Sequence, residues 1–579
     1  MVNLFRRYQQ RWAGVAFAVL VVGCGVPPSP AGSAQSGAVE PVASAPKRLT
    51  VGVLGERKSW APWGAGSTSG GAAQPLWLMD RTLTIQTETG ALKPVLAESL
   101  PAPDRGDWRI DSDGTMEQTW RIRPNARWQD GTPVTAEDFV FGWEIMVQPS
   151  LPTGSSQARS LISAASAPDA ATLVLRFYGT TPSAASALFN PYPRHILGEM
   201  YAAGEWERLA NHEYWTSEYV AAGPYRLTRW EPGAFQEFSA FPGYVEGPPK
   251  INVITFKFLG DANTLRANIL TGEVEVALPV GLSVEAAADL KRTWATPGTG
   301  NAVILYADGR FARLEFQHRP EFARPAAARD PAVRRALYRA VDKEGINEAT
   351  LAGLGRIADS WIPPEDPRRQ ELRDVIPEWS YEPALAQRLL EDAGWRPGPD
   401  GILVHQPTGE RMETEIRTTP SGRDQALGIL AAGWREVGAA VTETLIPPAM
   451  STNLEYRAAQ PFAGLVIHTM SLEWERTHYS CERAARPETR WSGAYYGYCN
   501  SAADPLIQRL RVTIPDRDRT ALQRDILRII LKEEQAILPL FWQVTVIVHA
   551  KGIRGLTELQ PGPHGNAWSP WNAHLWDKE

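Results

Sequence analysis

The stretch Trp120–Glu144 reads WRIRPNARWQDGTPVTAEDFVFGWE and contains signals for a strand, a turn and a helix, in that order. Polar and apolar residues alternate over 115–123, which predicts a half-buried strand. Asp130-Gly131 predicts a turn, and a proline two residues later restricts the backbone as the chain leaves it. Thr135 offers a hydroxyl as a helix cap, with the Asp138 carboxylate three residues on, close to a capping box.

The same signals occur elsewhere along the chain. Short β-rich or alternating runs predict strands at 48–54, 173–177, 251–259 and 540–548. Caps and helical spacing predict helices that begin at Pro331 and cover 383–393 and 427–434. A further long helix is predicted from Leu522 to Ile537, ended by Pro539. Because helices and strands alternate without an obvious repeat, the sequence favours an α/β fold.

Length and composition set broad limits on the protein. A chain of 579 residues is too long for one hydrophobic core and predicts two to four domains. Hydrophobic residues make up 43% and charged residues 21%, which argues against a mostly disordered chain. The net charge of −6 lacks the basic character of a general nucleic-acid binder, so no nucleic-acid partner is expected.

The N-terminus is typical of an export signal. Three arginines among the first 11 residues precede the apolar run Trp12–Gly23, which is too short to span a bilayer of ~30 Å. Cys24 follows this run directly, as in a bacterial lipobox. We expect a signal peptide over 1–23 and a lipid on Cys24; the alternative is a chance cysteine after an ordinary signal peptide.

Residues 24–46 are expected to form a lipidated cysteine and a disordered tether. Proline, serine, glycine and alanine dominate this segment, which therefore cannot bury enough apolar surface to fold. As a coil it would reach ~25 Å. The protein is thus expected to be exported and anchored by lipid to the cell membrane, facing the periplasm or the extracellular space.

Export also bears on the two remaining cysteines. Cys481 and Cys499 would lie outside the reducing cytosol, and two thiols are the right number to pair. A bridge would close a loop of about 18 residues and contribute roughly 3 kcal/mol. The alternative is two free buried thiols.

Signatures of catalysis are not found in the sequence. It has no G-x-S-x-G, H-E-x-x-H, P-loop or G-x-G-x-x-G motif. The nine histidines are scattered, and the spacing of His468 and His478 does not suggest a metal site. We therefore expect no catalytic residue, no metal and no cofactor.

Trp120–Glu144 resembles the signature of the family 5 extracellular solute-binding proteins, the dipeptide, oligopeptide and nickel class. The matching residues, Asp130 to Phe139, form the turn and helix start and are mostly structural. Further resemblances follow in the family's order at 92–100, 191–195, 223–233, 270–275, 333–343 and 381–402. Together they span about residues 48–556.

This resemblance implies an α/β, two-lobed, periplasmic-binding-protein-like fold of type II, in the large three-domain class. Lobe I would comprise 47–90, 215–300 and 515–579, with an extra subdomain at 91–214, and lobe II would comprise 301–514. The lobes would close on a peptide-like solute. The loaded protein, expected to be a monomer, would deliver it to the permease and ATPase subunits of an ABC importer, with no bond made or broken.

The resemblance also suggests ligand contacts in lobe II. Glu473 lies nearest the aspartate of the family's W-x-x-D-x-x-x-P stretch, although the aspartate and the proline are both absent here. Alternatively, Glu473 is a solvated loop charge. The aromatic rings of Trp474, Trp491 and Tyr496 would stack on a ligand; the alternative is that they pack the loop.

In lobe I, Gly71 to Gln74 matches a segment whose backbone pairs with an extended ligand, and Gln317 lies near another family position. Rival functions are an oligosaccharide, nickel-chelate or opine binder, a sensory or chaperone-like binder without transport, and an exported hydrolase. The 22 tryptophans would suit sugar stacking. Five of them, however, fall in the structural motifs: Trp120, Trp128, Trp143, Trp230 and Trp395.

Overall fold

Strands and helices alternate along most of the chain. The computed structural model describes residues 45–63, 71–87, 91–153, 157–186, 189–279, 281–294, 300–364, 366, 368–419, 424–450, 453–469, 478–556 and 566–579.

The strands are, in chain order, β1 (Arg48–Val53), β2 (Thr84–Gln86), β3 (Leu92–Pro94), β4 (Trp108–Ile110), β5 (Met116–Arg121), β6 (Ile162–Asp169), β7 (Thr172–Phe177), β8 (Tyr225–Glu231), β9 (Phe235–Ala240), β10 (Val253–Phe258), β11 (Val276–Ala277), β12 (Ala302–Phe316), β13 (Arg356–Ile357), β14 (Trp395–Pro397), β15 (Leu403–His405), β16 (Glu413–Thr418), β17 (Ala440–Leu445), β18 (Ala463–Thr469), β19 (Ile537–His549), β20 (Ile553–Arg554) and β21 (Asp577–Lys578).

The α-helices are α1 (Leu76–Met79), α2 (Ala136–Val147), α3 (Gln157–Leu161), α4 (Arg194–Ala202), α5 (Trp206–Ala210), α6 (Ala262–Thr271), α7 (Val284–Thr293), α8 (Pro331–Arg339), α9 (Lys343–Leu351), α10 (Arg369–Leu372), α11 (Pro383–Asp392), α12 (Asp424–Glu436), α13 (Leu454–Ala458), α14 (Ala503–Val512) and α15 (Asp516–Leu527).

The local signals are confirmed at most of the predicted positions. β1, β5, β7 and β10 cover the predicted strands, and α8, α11 and α12 cover the predicted helices. Asp330 caps α8 by accepting a 2.8 Å hydrogen bond from the amide of Ala332. The alternation in β5 places Met116, Gln118 and Trp120 on the buried face.

The predicted helix from Leu522 to Ile537 is wrong at its C-terminal end. α15 ends at Leu527, a π-helical turn continues to Glu533, and β19 begins at Ile537. Pro539 lies inside β19, at a shift in register between β12 and β19, where a missing N–H is tolerated. A short apolar run does not distinguish a buried helix from a buried strand, which explains the error.

The largest sheet has the strand order β17-β16-β18-β12-β19-β11-β1-β10-β9-β8, and β13 also pairs with β19. β1 is parallel to β10 and to β11; we call these three the first strand group. β16 is parallel to β17 and to β18; we call these three the second strand group. The antiparallel strands β12 and β19 run between the two groups.

A separate four-stranded sheet, in the order β4-β5-β7-β6, falls within the range predicted for the extra subdomain. Its core contains Trp120, Trp128 and Trp143 together with apolar residues of α2. Burial of each indole contributes several kcal/mol, roughly 25 cal/mol per Å² of apolar surface.

The Asp138 carboxylate joins two of the sequence motifs, the stretch 120–144 and the match at 191–195. It accepts hydrogen bonds from the amide of Thr135 at 2.9 Å, from Trp128 Nε1 at 3.2 Å and from the amide of Arg194 at 3.1 Å. The capping box is therefore present, and the same carboxylate also holds the start of α4 against it.

Further apolar cores lie against the two strand groups. The second group packs on α8, α11 and α12, around Phe316, Leu337 and Trp434. The first group packs on an aromatic set that includes Trp60, Tyr214, Trp215 and Tyr219. Each half of the large sheet thus has its own core.

A carboxyl group is buried at the edge of this aromatic core. Asp80, which follows α1, accepts hydrogen bonds from the Tyr219 hydroxyl and from Asn190 Nδ2, both at 2.8 Å. Burial raises the pKa of Asp80 to about 6, against the lowering effect of these bonds and of Arg57 and Arg81. The other ionisable groups around it are Tyr192 and Tyr214.

Replacement of Asp80 by Asn is expected to change the pH dependence of stability. Between about pH 4 and pH 6 the folded protein binds more protons at Asp80 than the unfolded chain, so this carboxyl lowers stability as the pH rises. The stability of Asp80→Asn relative to wild type should therefore rise by up to about 3 kcal/mol from pH 4 to pH 7. Urea unfolding at both pH values measures this, and parallel profiles would contradict it.

Candidate functional site

The large sheet is interrupted where β12 and β19 pass between the two strand groups. Their pairing runs from Ala302 to Ala307, breaks, and resumes at Phe311 opposite Trp542. β18 pairs with β12 only from Arg310 onward. The interruption at 308–310 therefore marks the change from the first strand group to the second.

The carboxyl ends of both strand groups face this interruption. β18 runs antiparallel to β12, with its last residue, Thr469, opposite Arg310. β11 runs antiparallel to β19, with Ala277 opposite Val548, so its continuation points towards the same place from the other side. Ligands of open α/β sheets bind outside the carboxyl ends of the strands, which makes this edge the candidate site.

Two of the residues predicted from the sequence lie at this edge. Gly71 has a left-handed backbone with φ +86°, and an added Cβ would lie 3.1 Å from the side chain of Val53, the last residue of β1. Gln74 Nε2 donates a 2.8 Å hydrogen bond to the carbonyl of Pro279, just beyond β11. Gly71 therefore lies beside the end of β1, and Gln74 is attached to the end of β11.

Gln74 also has an unsatisfied acceptor. Its side chain is 1% exposed, and Oε1 has no hydrogen-bond partner among the residues that the structure describes. Buried polar atoms in folded proteins are nearly always hydrogen-bonded, and leaving one unpaired costs about 1–3 kcal/mol. This oxygen is therefore a candidate acceptor for a donor group outside the described residues.

Other predicted residues lie outside the described part of the chain. The segment after β18 contains Glu473 and Trp474, and both residues, like Cys24, fall in stretches for which the structure gives no description.

Gln317 lies at the opposite end of the second strand group, beside the amino end of β18. It follows Phe316, which pairs with the first residue of β18. Its side chain is fully buried, and Nε2 donates to the carbonyls of Ala458 and Gln460 at 2.9 and 2.8 Å. Gln317 Oε1 accepts hydrogen bonds from the backbone and side chain of Arg319. The protein itself therefore occupies both ends of this amide.

Arg319 organises the segment that contains Trp491 and Tyr496, and the sequence analysis did not identify it. Its guanidinium donates to the carbonyls of Tyr495 at 2.6 Å and of Ala485. It also lies 5.9 Å from the Trp491 ring. Burial lowers the pKa of Arg319. Spacing in the sequence does not reveal such a role, because these carbonyl acceptors lie more than 100 residues away along the chain.

Trp491 and Tyr496 pack within this segment. Trp491 is half-buried, 5.9 Å from the ring of Phe322, and adopts φ +60° directly after Arg490 at φ +51°. Left-handed backbone costs a non-glycine residue about 1–2 kcal/mol. Tyr496 is 6% exposed, and an added Cβ on Gly464 would lie 2.0 Å from its hydroxyl oxygen. The structure therefore brings Gln317, Trp491 and Tyr496 together.

These three residues lie far from Gly71 and Gln74. Gly464 is the second residue of β18, and the carboxyl end of that strand is Thr469. Five residues of strand span about 17 Å at ~3.3 Å per residue. The predicted ligand residues therefore lie at opposite ends of the strands. Gly71 and Gln74 lie at the carboxyl ends, and the other three lie near the amino end of β18.

The segment is also closed by a disulfide. Cys481 and Cys499 are bonded with an S–S distance of 2.02 Å. Cys481 is tied to α14, because its amide donates a 2.6 Å hydrogen bond to Asp504 Oδ1. The disulfide thereby closes 481–499 into a loop, and the hydrogen bond attaches this loop to the helix that follows it.

Within the described residues, no group of three or more His, Cys, Asp or Glu side chains could hold a metal ion. No helix in the same residues is both long and apolar enough to cross a bilayer.

Solved structures define the class of fold. NikZ from Campylobacter jejuni, in complex with Ni(L-His), aligns with 92% of this chain and 100% of its own at a TM-score of 0.65 and 21% identity. The oligopeptide-binding protein of Thermus thermophilus, complexed with a pentapeptide, aligns with 92% and 96% at 0.63 and 21%. The fold is thus that of a two-lobed, type II periplasmic binding protein.

Two relatives in sequence are Protein XP55 of Streptomyces lividans and the oligopeptide-binding protein AppA of Bacillus subtilis. XP55 is 27% identical over 453 residues, 76% of this chain and 74% of its own length. AppA is 23% identical over 350 residues, 59% of this chain and 58% of its own length.

The family described as bacterial extracellular solute-binding proteins, family 5 (middle) matches residues 91–469. The chain belongs to this family, whose members bind peptides, nickel or other solutes for ABC importers.

Substitution of Gly464 by Ala is expected to displace Tyr496. The added Cβ would overlap the tyrosine hydroxyl, so the ring or β18 must shift, at a cost of about 1–3 kcal/mol. Denaturant unfolding measures this loss. A matched control is Gly428→Ala in α12, where the nearest atom to the new Cβ lies at 3.8 Å and a gain of up to about 1 kcal/mol is expected.

The double variant Gly464→Ala/Tyr496→Phe removes the hydroxyl that the new Cβ meets first. It should recover part of the lost stability, because the effects of two residues in contact are not additive. If Gly464→Ala costs the same stability in wild-type protein and in Tyr496→Phe, then Tyr496 does not occupy this position.

Proposed function

We propose that the protein is the substrate-binding lipoprotein of an ABC importer and captures a peptide-like solute between its two lobes. The observation that carries this proposal is the convergence of the carboxyl ends of β1, β11 and β18 on the interruption in β12 and β19. Capture requires lobe closure and solute contacts, with no bond made or broken.

A peptide-like solute is supported by the chemistry of the first-lobe edge. Gln74 Oε1 is a buried acceptor without a partner in the described residues, and a backbone N–H of an extended solute would complete it. Gly71, at φ +86°, lets the backbone pass close to the side chains of Val53 and Gln74 at the end of β1. Such backbone pairing is the general mode of strand addition.

Glu473 and Trp474 are proposed as the contacts from the second lobe. They follow β18, whose carboxyl end lies at the site edge. A carboxylate there would pair with an ammonium group of the solute, and an indole would cover apolar parts of it. Trp491, Tyr496 and Gln317 would then support the second lobe near the amino end of β18. Their described contacts are with the protein itself.

Native mass spectrometry of the purified protein tests the proposed solute. A tightly held peptide should appear as added mass of several hundred daltons that is lost on denaturation, and fragmentation of the released molecule should show amino-acid residues. Release of a hexose chain would establish the oligosaccharide alternative, and release of a metal chelate would establish the nickel-type alternative. Either result would contradict the peptide assignment.

Replacement of Gln74 by Leu tests the first-lobe contact. Loss of the acceptor should weaken solute binding at least 10-fold, measured by titration of the released solute into stripped protein. The matched control is Gln236→Leu on β9: Gln236 is also buried, donates Nε2 to the carbonyl of Arg57 at 3.2 Å, and leaves Oε1 without a partner in the described residues. Equal weakening in both variants would contradict a role for Gln74 in binding.

Lipid anchoring is the remaining part of the proposal. The apolar run that ends at Cys24, followed by the Pro- and Ser-rich stretch 25–46, supports it. In cells that express the full chain, the wild-type protein should sediment with membranes, and Cys24→Ser should move it to the soluble exported fraction. Equal membrane association of both proteins would contradict the anchor.

A further inference from the structure

The residue proposed to meet the solute, Gln74, lies just before a helix of a single turn. The Gln74 amide donates a 3.0 Å hydrogen bond to the carbonyl of Gly71, and the Gln74 carbonyl accepts a 3.1 Å hydrogen bond from the amide of Trp77 in α1. α1 has only four residues, Leu76–Met79. Because one helical turn is not stable by itself, the position of α1 and of Gln74 depends on the segments packed around them.

Arg81 lies two residues after the end of α1 and is 3% exposed. Its Nη1 donates 2.7 Å hydrogen bonds to the carbonyls of Trp77 and Asp80, at the C-terminal end of the helix. Its Nε donates to the Tyr244 hydroxyl and its Nη2 to the carbonyl of Trp571, both at 2.8 Å. One guanidinium thus joins α1 to two segments that are 163 and 490 residues away along the chain.

The C-terminal segment 566–579, which contains Trp571, is itself attached to the first strand group. Lys578 Nζ lies 2.6 Å from Oε1 of Glu275, directly before β11. Trp576 is fully buried in the core of the first strand group, and its Nε1 donates a 2.8 Å hydrogen bond to Asn572 Oδ1. This segment therefore provides Arg81 with a partner whose own position is fixed.

The Tyr244 hydroxyl is fixed in the same way. It accepts from Arg81 and donates a 2.8 Å hydrogen bond to Glu246 Oε2. Glu246 is paired in turn with Lys93 of β3. The ring of His574, in the C-terminal segment, lies 5.1 Å from the Tyr244 ring. Both distant partners of Arg81 thus belong to one connected group of side chains.

Other contacts also hold α1 in the core. An added Cβ on Gly223 would lie 2.2 Å from the carbonyl oxygen of Met79, so the two backbones are in direct contact. Asp80, between Met79 and Arg81, is bonded to Tyr219 and Asn190. Because these contacts do not involve Arg81, we expect the fold to persist when the Arg81 side chain is replaced.

We propose that Arg81 is a positioning residue for solute capture: by joining α1 to Tyr244 and to the C-terminal segment, it fixes the place of Gln74 Oε1 at the end of β11. Hydrogen bonds weaken steeply with distance and misalignment, so a buried acceptor binds a donor well only from one place. Arg81 acts through Gln74 and does not contact the solute. This inference rests on the proposed function, since it concerns the same Gln74 contact.

Replacement of Arg81 by Met tests the inference, because Met keeps an apolar stem and removes every donor. The variant should bind a synthetic pentapeptide pool at least 10-fold more weakly than wild type. Amide hydrogen exchange over 74–80, measured without solute, should become at least 10-fold faster, since these amides are hydrogen-bonded within the segment that Arg81 holds. Unchanged exchange, or faster exchange with unchanged binding, would overturn the inference.

Arg334 of α8 provides a matched control, because it is also a buried arginine whose guanidinium donates to backbone carbonyls. Its acceptors include the carbonyls of Ala328 at 2.8 Å and of Gln535 at 3.1 Å. α8 packs on the second strand group. Arg334→Met should leave exchange over 74–80 unchanged and binding within 2-fold of wild type. A loss of binding equal to that of Arg81→Met would overturn the inference.

The double variant Gln74→Leu/Arg81→Met tests whether Arg81 acts through Gln74. If it does, the double variant should bind the pool no more than 2-fold more weakly than Gln74→Leu, because the acceptor that Arg81 positions is already absent. Two residues that act through one contact are not additive. Full additivity of the two losses would therefore contradict the proposed route.

A milder variant keeps the inference testable if Arg81→Met does not fold. Tyr244→Phe removes the hydroxyl that accepts from Arg81 Nε and leaves the charge of Arg81 beside Asp80 unchanged. We expect binding at least 3-fold weaker and exchange over 74–80 at least 3-fold faster. Wild-type values of both would count against a positioning role for Arg81.

Failure of the proposed function is distinguishable from failure of this inference. If wild-type protein binds none of the pentapeptides, the peptide assignment is wrong. The exchange measurement needs no solute and still decides the positioning role. Faster exchange in Arg81→Met and Tyr244→Phe, confined to 74–80 and to the contacting residues around 244 and 571, supports that role, and exchange equal to wild type overturns it.

Discussion

The antiparallel pairing of β12 with β19 is the constraint on which the rest of the structure depends. These two strands lie between the first and second strand groups in the large sheet. Because they pair on both sides of residues 308–310 and their pairing is interrupted there, they join two cores while leaving a break between them. The carboxyl ends of both groups point towards that break, and ligands of open α/β sheets bind outside the carboxyl ends of the strands.

Polar groups are buried on both sides of this break, in different ways. On the first side a single amide, Gln74, is hydrogen-bonded to the end of β11 and keeps one acceptor without a partner in the described residues. On the second side Arg313 Nη2 lies 2.9 Å from Glu315 Oε1 and 3.0 Å from His478 Nε2, so these side chains attach the chain before the disulfide loop to β12. A buried acceptor without a partner in the described residues suits contact with a solute, whereas a buried ion pair that joins two segments suits the support of a loop.

Local signals in the sequence predicted elements well where chain chemistry decides the outcome alone. The cap and carboxylate of Thr135 and Asp138 produced α2, and Asp330-Pro331 produced α8. The prediction failed near Pro539, because burial in the sheet, absent from the local pattern, made a strand of an apolar run. Four of the five tryptophans of the matched motifs, Trp120 and Trp395 among them, are buried in cores, as expected of structural residues, and Trp230 is partly buried.

By itself, the sequence determined the class of fold, the family and the presence of two cysteines that could pair, since motifs, caps and composition are local properties of the chain. Only the tertiary structure decided which candidate residues are neighbours. It separated Gln74 from Gln317, Trp491 and Tyr496 by the length of a strand, and it brought Arg313 to His478 across 165 residues. Such contacts depend on strand order and register, which long-range packing of both cores selects and local spacing does not record.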